Sequence, residues 1–424
     1  MLFPPLTDET SRVLLRLPEI IDNAFPLPAR YRQELKHDVA ELSRLLTSGR
    51  KERSGSYLGK PAMLSAYLRY FLPWNIYRLC RLLSSLPFSL KARDCVNDLG
   101  AGPLTFAASL WISRPELRSV PLEFRCVDRT AAVLEAGKEF FNALVTAVPA
   151  APMAMPPACG ETGNSAACSW KIKTIRGELK RNGALSVEIR GEPAALSASV
   201  NLYNELFWDF SPADSAGIEH FADKQARLLS SLTDSSGSIF VMEPGIPRSG
   251  EFISLLRSGL VKEGRQLLSP CPHRGACPFT THRAGYSKAK WCHFAFDTED
   301  APAELHKLSA AAKIPKERAV LSFIFAGPAC SEKLPQGRSV LSGHVKIRII
   351  SDSFPVNIQE KKHTMKDNWG RYGCSERGLV LVTGSKEELA RLPSGALEEL
   401  PLLEGKIDEK SGALMAPIFR HHFR

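Results

Sequence analysis

The sequence lacks any apolar run long enough to cross a membrane. No stretch of the 424 residues approaches the roughly 18 consecutive apolar residues that a transmembrane helix needs. The opening MLFPPLTDETSR has early acidic residues and lacks the basic segment that begins a secretory signal. Internal repeats are absent as well. We therefore expect a cytoplasmic protein with no membrane-spanning segment.

The composition excludes fibrous and wholly disordered classes. Apolar residues make up 44% and charged residues 24%, which is ordinary globular usage. At roughly 100–200 residues per domain, two or three domains are expected. The 55 basic residues outnumber the 45 acidic ones, and the net charge of +10 favours a polyanionic partner such as nucleic acid. The ten cysteines lack a secretory context, which favours reduced thiols or metal ligands over disulfides.

Residues 1–90 are predicted to be helical. Thr10 to Phe25 and Tyr31 to Leu46 carry apolar residues at helical spacing, and prolines separate the two runs. The aromatic segment AYLRYFLPWNIYRLCRLL (66–83) follows, and Pro73 should kink or break it. With 13 basic against 8 acidic residues in this region, the aromatic side chains could stack on bases, but such stripes are more often buried. We therefore assign the aromatic residues to the core.

Residues 91–330 alternate strand-like and helix-like runs, which predicts an α/β fold with a mostly parallel sheet. The candidate strands are 94–100, 123–129, 196–204, 237–245, 291–296 and 320–326. The Ala- and Pro-rich segment 148–168 is typical of a surface insertion, so its Cys159 and Cys168 are predicted to have no role. Residues 331–424, with β-like pieces at 342–351 and a hairpin pattern at 370–384, predict a small β domain with a basic tail.

A glycine turn follows the first candidate strand. The run D-L-G-A-G-P contains Asp98, Gly100 and Gly102 and leads into a helix-like segment. Glycines at this place let the backbone approach a ligand at the carboxyl edge of a sheet. Because Thr105 stands where a third glycine would be, this is not the dinucleotide G-x-G-x-x-G motif. The second strand ends at Asp128, where a carboxylate can accept both hydroxyls of a ribose. The alternative is a tight strand–helix turn without a ligand.

The pair Asp98 and Asp128 resembles the S-adenosylmethionine site of class I methyltransferases. In those enzymes the first acidic residue lies near the amino-acid end of the cofactor, and the second holds the ribose. The N-P-P-Y or D-P-P-Y motif of amino-directed methyltransferases is missing. Asn204 and Glu205, at the end of candidate strand 196–204, could contact substrate or cofactor, or Glu205 could cap the next turn. We assign no catalytic residue.

Three cysteines lie within 22 residues, in the segment SPCPHRGACPFTTHRAGYSKAKWCHF. Cys271, Cys277 and Cys292 have C-x₅-C and C-x₁₄-C spacing, which is looser than the C-x₂₋₄-C of common zinc sites. Iron–sulfur clusters are held by four cysteine thiolates, often at irregular spacing and beside proline. The trio therefore indicates a metal centre, whereas the isolated Cys80, Cys95 and Cys126 lie in apolar runs and are interpreted as ordinary thiols.

A cluster needs a fourth ligand. Cys374, in GRYGCSERG on a predicted turn of the next domain, is the first choice, and Cys330 is the second. His273, His282 or His293 could instead complete a zinc site. If Cys374 is the ligand, the metal joins the α/β domain to the β domain, and loss of metal should loosen that junction.

Three features occur in one order along the chain: D-L-G-A-G-P; E-P-G-I-P-R-S-G at 243–250 leading into a helix with Arg257; and C-P-H-x₃-C-P…W-C-H-F followed by R-Y-x-C-S. This order resembles the methyltransferase-like family that associates with the small ribosomal subunit. Its mitochondrial members act in mitoribosome assembly, and bacterial relatives exist. The resemblance spans roughly residues 55–385.

The residue patterns predict an N-terminal helical region at 1–90, an α/β domain at 91–330 with a cysteine-rich loop at 271–292, and a small β domain at 331–424. The resemblance implies that the α/β domain has the class I methyltransferase (Rossmann-like) fold. It also implies S-adenosylmethionine, a 4Fe–4S cluster and binding to small-subunit rRNA, whereas the residues leave zinc as the lesser alternative to the cluster. Carried over residue by residue, the cofactor loop is Asp98, Gly100 and Gly102 with Asp128 for the ribose, and the cluster ligands are Cys271, Cys277, Cys292 and Cys374.

The charge map suits an RNA partner. Residues 271–375 hold 16 basic against 9 acidic residues, and Arg274, Arg283, Lys288 and Lys290 could grip phosphates if they point outward. We expect a ribosome-associated monomer that binds S-adenosylmethionine and small-subunit rRNA, and it is a candidate rRNA methyltransferase. The alternatives are a non-catalytic assembly factor with a vestigial cofactor pocket and a small-molecule methyltransferase with a structural zinc. A radical enzyme is disfavoured because the C-x₃-C-x₂-C signature is absent.

Overall fold

The computed structural model describes residues 1–49, 52, 57–150, 169–180, 182–207, 214–280, 291–329, 344–356, 369–403 and 405–418. Several predictions concern residues outside these ranges. They are those for Cys159, Cys168, His282, Arg283, Lys288, Lys290, Cys330 and the basic tail. None of the helices within the described ranges is long and apolar enough to cross a bilayer.

The N-terminal region is helical, as predicted. Helix α1 (Asp8–Ala24) begins at Thr7, whose side chain accepts a hydrogen bond from the Thr10 amide. Helix α2 (Ala29–Leu46) follows, and the prolines between the two prevent one continuous helix. Helix α3 (Pro61–Ala66) then leads through one π-helical turn (Tyr67–Phe71) into α4 (Leu72–Leu83).

The predicted break at Pro73 takes the form of this π turn. Pro73 lies in the first turn of α4, where the absence of its amide has little effect on the helical hydrogen bonds. The Leu72 amide donates to the Tyr67 carbonyl, five residues earlier, which is the hydrogen bond of a π turn. The chain therefore continues as a helix with a local widening. Most of the aromatic side chains are core residues, since Tyr70 and Tyr77 are inaccessible to solvent.

The first sheet contains eight strands. They are β1 (Cys95–Leu99), β2 (Leu122–Asp128), β3 (Trp170–Arg176), β4 (Ala194–Val200), β5 (Thr233–Pro244), β6 (Arg265–Ser269), β7 (Phe294–Asp297) and β8 (Arg318–Ala329). The helices between them are α5 (Thr105–Ser113), α6 (Ala131–Ala147), α7 (Tyr203–Leu206), α8 (Ser215–Leu232), α9 (Pro247–Lys262) and α10 (Ala303–Ala311).

The strand order is β3-β2-β1-β4-β5-β8-β6, with β7 also paired to β8. Strands β1 to β5 are parallel, whereas β8 runs antiparallel to β5, β6 and β7. The order reverses between β1 and β4, so the carboxyl ends of these strands open onto a crevice where such sheets bind ligands. The predicted α/β architecture with a mostly parallel sheet is confirmed.

Two strands were missed, and one candidate was too long. Strand β3 alternates apolar residues with lysines at the sheet edge, and β6 has only two apolar residues. The candidate strand 196–204 ends at Val200, because Asn201 adopts a left-handed conformation with φ of 57°. Its last residues form α7 instead.

A second, six-stranded sheet follows. Its strands are β9 (His344–Ile349), β10 (Phe354–Pro355), β11 (Trp369–Ser375), β12 (Gly378–Gly384), β13 (Leu397–Pro401) and β14 (Leu414–Pro417), and α11 (Lys386–Ala390) joins β12 to β13. The hairpin predicted at 370–384 is confirmed, since β11 and β12 pair antiparallel around a turn at Glu376 and Arg377.

One hydrophobic cluster connects all three parts of the chain. It includes Leu14 and Tyr70 from the N-terminal helices, Phe240 from the first sheet, and Ile350 and Leu381 from the second sheet domain. The helical region therefore packs directly on the α/β sheet. The proposed domain limits at residues 90 and 330 stay predictions.

Candidate cofactor cavity and cysteine site

A cavity of about 720 Å³ opens at the carboxyl edge of the parallel strands. The sheet side of its wall is built from the glycine turn after β1, the end of β2, the residues after β4 and the turn after β5. The opposite side comes from α2, the π turn and α4. Its volume lies within the range typical of small-molecule sites, about 300–1,000 Å³.

The two glycines of the turn have different roles. Both adopt left-handed conformations, with φ of 71° at Gly100 and 54° at Gly102. A Cβ on Gly100 would lie 2.8 Å from the Leu202 side chain, whereas a Cβ on Gly102 would meet no atom within 4 Å. Gly100 thus permits close packing, and Gly102 leaves its backbone open towards the cavity.

Asp128 is joined to the glycine turn. Its Oδ2 accepts a hydrogen bond from the Gly102 amide at 3.0 Å, and its Oδ1 accepts one from the Thr130 amide at 2.9 Å. Burial raises the pKa of this carboxyl, although both amides act in the opposite direction. Asp128 lies on the cavity wall, so its remaining lone pairs can accept hydrogen bonds from a ligand.

Asp98 lies under the turn and is not one of the residues that line the cavity. Its side chain is 1% exposed, and neither carboxyl oxygen has a hydrogen-bond partner within the described part of the chain. Burial and the neighbouring charge of Asp128 raise the pKa of Asp98 to about 8. A role for Asp98 at the cofactor's amino-acid end therefore stays a prediction.

Two residues on the sheet side were not singled out from the sequence. Asn201 lines the cavity, and its buried Oδ1 has no partner among the described residues. Glu243, which is fully buried, accepts hydrogen bonds from the amides of Tyr203 (2.8 Å) and Asn204 (3.0 Å), and burial raises its pKa to about 7. Glu243 thereby fixes the chain that carries Asn201. The signal for Glu243 in the sequence was a single acidic residue at the end of the apolar run GSIFVMEPG.

Asn204 and Glu205, the predicted contact residues, both line the cavity. Glu205 accepts a hydrogen bond from the Tyr57 hydroxyl at 3.0 Å and pairs with Arg129 at 3.3 Å. The Asn204 side chain donates to the Asn201 carbonyl at 2.7 Å. These contacts tie the N-terminal helices to the sheet edge across the cavity.

The four predicted cysteine ligands come together. Cys271, Cys277, Cys292 and Cys374 line one small cavity between α9, β8 and the second sheet. The first two lie after β6, Cys292 precedes β7, and Cys374 lies on β11. Cys374 was predicted on a turn, but it is the sixth residue of a strand and is 7% exposed. The antiparallel pairing of β11 with β9 and β12 holds it in place.

Burial and the neighbouring cysteines raise the pKa values of Cys271, Cys292 and Cys374. Burial raises the pKa of Cys292, and the charges of Cys271, Cys277 and Cys374 raise it further. Burial likewise raises the pKa of the Cys271 and Cys374 thiols, while Arg257 acts against both shifts. Groups in this situation stay protonated unless a cation replaces the protons.

Arginine and histidine side chains surround the cysteines. Arg257, on α9, donates to Cys271 Sγ at 3.3 Å and to the carbonyls of His273 (3.0 Å) and Gly275 (2.7 Å). His273 Nε2 lies 3.4 Å from Cys374 Sγ, and burial is the main cause that lowers its pKa to about 4. His293 stacks on Trp291. Arg274, which could grip a phosphate if it points outward, is half-buried.

No three His, Cys, Asp or Glu side chains within the described ranges are arranged to hold a single metal ion. The four described cysteines line one cavity. Of the cysteines interpreted as ordinary thiols, Cys80 and Cys126 are buried in the core, and Cys95 accepts a hydrogen bond from Arg125 at 3.0 Å.

Residues 216–368, less than half of the chain, match the family model described as Rsm22, mitochondrial small ribosomal subunit. No curated protein matches the chain.

The chain is similar to several solved structures at low sequence identity. A Listeria monocytogenes protein described as a class I S-adenosylmethionine-dependent methyltransferase is 8% identical, with 78% of this chain and 91% of that chain covered and a TM-score of 0.33. A Geobacter sulfurreducens S-adenosylmethionine-dependent methyltransferase in complex with S-adenosylhomocysteine is 10% identical (60% and 91% covered, TM-score 0.29). The calicheamicin-biosynthesis methyltransferase CalO1 is 15% identical (72% and 73% covered, TM-score 0.30). The first sheet, mostly parallel with β8 antiparallel, and the second sheet agree with the α/β architecture and the additional β domain that the sequence predicted.

Proposed function

We propose that this chain is a ribosome-associated protein that binds S-adenosylmethionine and a 4Fe–4S cluster and acts on RNA of the small subunit. The observation that carries the proposal is the convergence of four cysteines, spread from residue 271 to residue 374, on one cavity. The match of residues 216–368 to a family described by the mitochondrial small ribosomal subunit supports the ribosomal partner. Because the family description names mitochondria, the cytoplasmic location stays a prediction. The monomeric state also stays a prediction.

The residues of the large cavity fit an adenosyl cofactor. Gly102 leaves open space where any other residue would place a Cβ, and Asp128 offers a carboxylate to a ribose diol. Asn201 offers a buried acceptor that lacks a donor among the described residues, which an ammonium or amino group of the ligand would supply. When bound, the cofactor supplies an activated methyl group. The residues of this chain bind it, orient it and exclude water.

Four thiols share one cavity, and four cysteine thiolates are the ligand set of a 4Fe–4S cluster. Arg257 places a cation beside Cys271, which favours the anionic thiolates that a cluster requires. The site lies between the two sheets, so a bound cluster would join them.

The first experiment is anaerobic purification, followed by a visible spectrum and measurement of iron, sulfide and zinc. We expect a brown protein with about four iron and four sulfide per chain. Cys374→Ser should lose the colour and most of the iron, because it removes one thiolate. Cys95→Ser is the matched control, since Cys95 lies away from the site, and it should keep both. A colourless wild type with one zinc would refute the cluster.

The second experiment separates binding from catalysis. Calorimetry with S-adenosylmethionine tests the cavity, and a methyl-transfer assay on purified small subunits tests the reaction. Methyl transfer to the small subunit would show that the protein is a methyltransferase. Binding without transfer would favour the non-catalytic assembly factor. Absence of both would reject the cofactor half of the proposal, whatever the iron content.

A further inference from the structure

The cavity continues beyond the glycine turn to an aromatic wall. This aromatic wall consists of Tyr67, Phe71 and Trp74, from the π turn and the first turn of α4. The rings of Tyr67 and Phe71 stack with centroids 5.9 Å apart and planes inclined by 27°. Tyr67 and Phe71 are half-buried, in contrast to the fully buried Tyr70 and Tyr77 of the same segment. Part of the aromatic segment therefore faces a ligand space.

Two cations lie beside the aromatic wall. Arg78, one turn after Trp74, and Lys316, just before β8, both line the cavity. Arg78 is fixed by the Asn75 side chain and by the Val320 carbonyl at 3.1 Å. Burial, together with the neighbouring charge of Arg78, lowers the pKa of Lys316 to about 8. Both groups therefore remain largely charged at neutral pH.

Neither cation has an ion-pair partner within the described residues. The other two arginines of the cavity are paired: Arg129 with Glu205, and Arg318 with Asp352. The charge of Glu243 raises the pKa of Arg78, but the Glu243 oxygens accept hydrogen bonds from the Tyr203 and Asn204 amides. Two uncompensated cations in one cavity are unfavourable unless an anion joins them.

The cavity carries charges of both signs. Asp128 and Glu205 lie on the side of the glycine turn, where Arg129 pairs with Glu205, whereas Arg78 and Lys316 are neighbours on the basic side, next to α4. The Tyr67 hydroxyl accepts a hydrogen bond from the Asn75 side chain at 3.5 Å, and Asn75 also holds Arg78. The acidic side suits a ligand with hydroxyl groups, and the basic side suits an anion.

We propose that the basic side of this cavity binds one nucleotide of a single-stranded RNA, with the base on the aromatic wall and the phosphate on Arg78 and Lys316. The proposal rests on the proposed function and deepens it by naming the substrate class. Stacking on aromatic side chains and charge-assisted contacts to phosphate are the usual means of holding an unpaired nucleotide. Enzymes that act on a base take it out of its stack into an active-site pocket, and the glycine turn assigned to the cofactor lines this same cavity.

The test uses the full chain purified without oxygen. The probes are a short single-stranded RNA that carries 4-thiouridine and a fluorescent label, and S-adenosylhomocysteine. Irradiation followed by mass spectrometry should place an adduct on Tyr67, Phe71 or Trp74. Lys316→Gln should lower the RNA affinity about tenfold, the size expected for a lost charge-assisted contact, while S-adenosylhomocysteine binds within about twofold of wild type.

Two further variants sharpen the result. Lys316→Arg keeps the charge and should restore most of the RNA affinity. Lys307→Gln, which removes an exposed lysine of α10, is the matched control and should have little effect. Unchanged binding of S-adenosylhomocysteine also shows that Lys316→Gln is folded.

Three outcomes would overturn the nucleotide site. An equal loss of RNA and S-adenosylhomocysteine binding in Lys316→Gln would assign the cations to the cofactor. Equal RNA affinities of Lys316→Gln and Lys307→Gln would remove Lys316 from recognition. Adducts only outside the aromatic wall would place the RNA elsewhere. Failure of the wild type to bind S-adenosylhomocysteine, with the adduct still on the aromatic wall, would instead reject the proposed cofactor and leave the nucleotide site intact.

Discussion

Arg257 Nε lies 3.3 Å from Cys271 Sγ, and the same guanidinium holds the carbonyls of His273 and Gly275. One side chain from α9 thus fixes the loop that connects Cys271 to Cys277. Three donors aimed at one loop provide geometry that the loop, with one proline and one glycine, would otherwise lack. Arg257 is therefore a positioning residue for the proposed cluster.

Replacing Arg257 should release this loop. We expect Arg257→Gln to retain less than about half of the wild-type iron, because the glutamine amide has two donors for three acceptors and lacks the charge of the guanidinium. Iron, sulfide and the visible spectrum of anaerobically purified protein measure the effect. Arg227→Gln, at an exposed site on α8, is the control and should keep its iron. Full iron content in Arg257→Gln would show that the cysteines are positioned without it.

The two glycines of the cofactor turn should respond differently to alanine. Both substitutions force alanine into a left-handed conformation, at a cost of about 1–2 kcal/mol. Gly100→Ala adds a clash with Leu202, at 2.8 Å, so we expect an additional loss of about 1–3 kcal/mol of stability. Gly102→Ala meets no protein atom, but its methyl group would enter the space assigned to the cofactor.

Thermal unfolding and calorimetry with S-adenosylhomocysteine separate these effects. Gly100→Ala should have the lower melting temperature of the two. Gly102→Ala should bind the cofactor product at least about tenfold more weakly than wild type. Normal binding by Gly102→Ala would mean that the ligand does not approach this turn, which would remove the main support for the cofactor site.

The sequence predicted more of the architecture than of the candidate site. The glycine turn and Asp128 lie at the large cavity and the cysteine trio at the small one, whereas Asp98 lies beneath the turn and does not line the cavity. Cys374 was placed on a turn although it lies in β11, since glycines on both sides of Tyr372 conceal the strand pattern. Strand β3 was overlooked because its lysines occupy the alternate positions of an edge strand.

Tertiary contacts created the features that sequence could not reveal. Glu243 looks like a polar end to a strand, yet it binds two amides of the chain after β4. Tyr67 and Tyr70 belong to one aromatic segment, but only Tyr67 reaches the cavity, because the π turn changes the direction of successive side chains. Lys316 is a typical loop lysine in the sequence, and only the approach of α4 places it beside Arg78.

Asp128 should be more important for the cofactor than for folding. Asp128→Asn removes the charge that a ribose diol would meet, and its NH₂ group would face the amide of either Gly102 or Thr130 while its oxygen accepts from the other. We expect affinity for S-adenosylhomocysteine to fall at least about tenfold, as expected for a lost charged hydrogen bond. Glu135→Gln, on the exposed side of α6, is the matched control. Binding by Asp128→Asn within about twofold of wild type would contradict the assignment.

Asp98 should make stability depend on pH. Burial and Asp128 raise the pKa of Asp98 from an ordinary value of 3.8 to about 8. Between these values the folded chain binds a proton that the unfolded chain releases. The free energy of unfolding should therefore fall as pH rises through this window, and this contribution should level off above about pH 8. A buried carboxylate without a partner among the described residues is costly once it is charged.

Asp98→Asn removes this titration and leaves Asp128 in place. Its stability relative to wild type should increase steadily from about pH 5 to about pH 8 and then become constant, because the asparagine side chain never acquires the buried charge. Melting temperatures of both proteins across this range provide the measurement, and Asp94→Asn, near the start of the same strand and half-buried, is the control. Parallel profiles for wild type and Asp98→Asn would show that Asp98 is ionised in the folded protein, which requires a hydrogen-bond donor or a cation close to its oxygens.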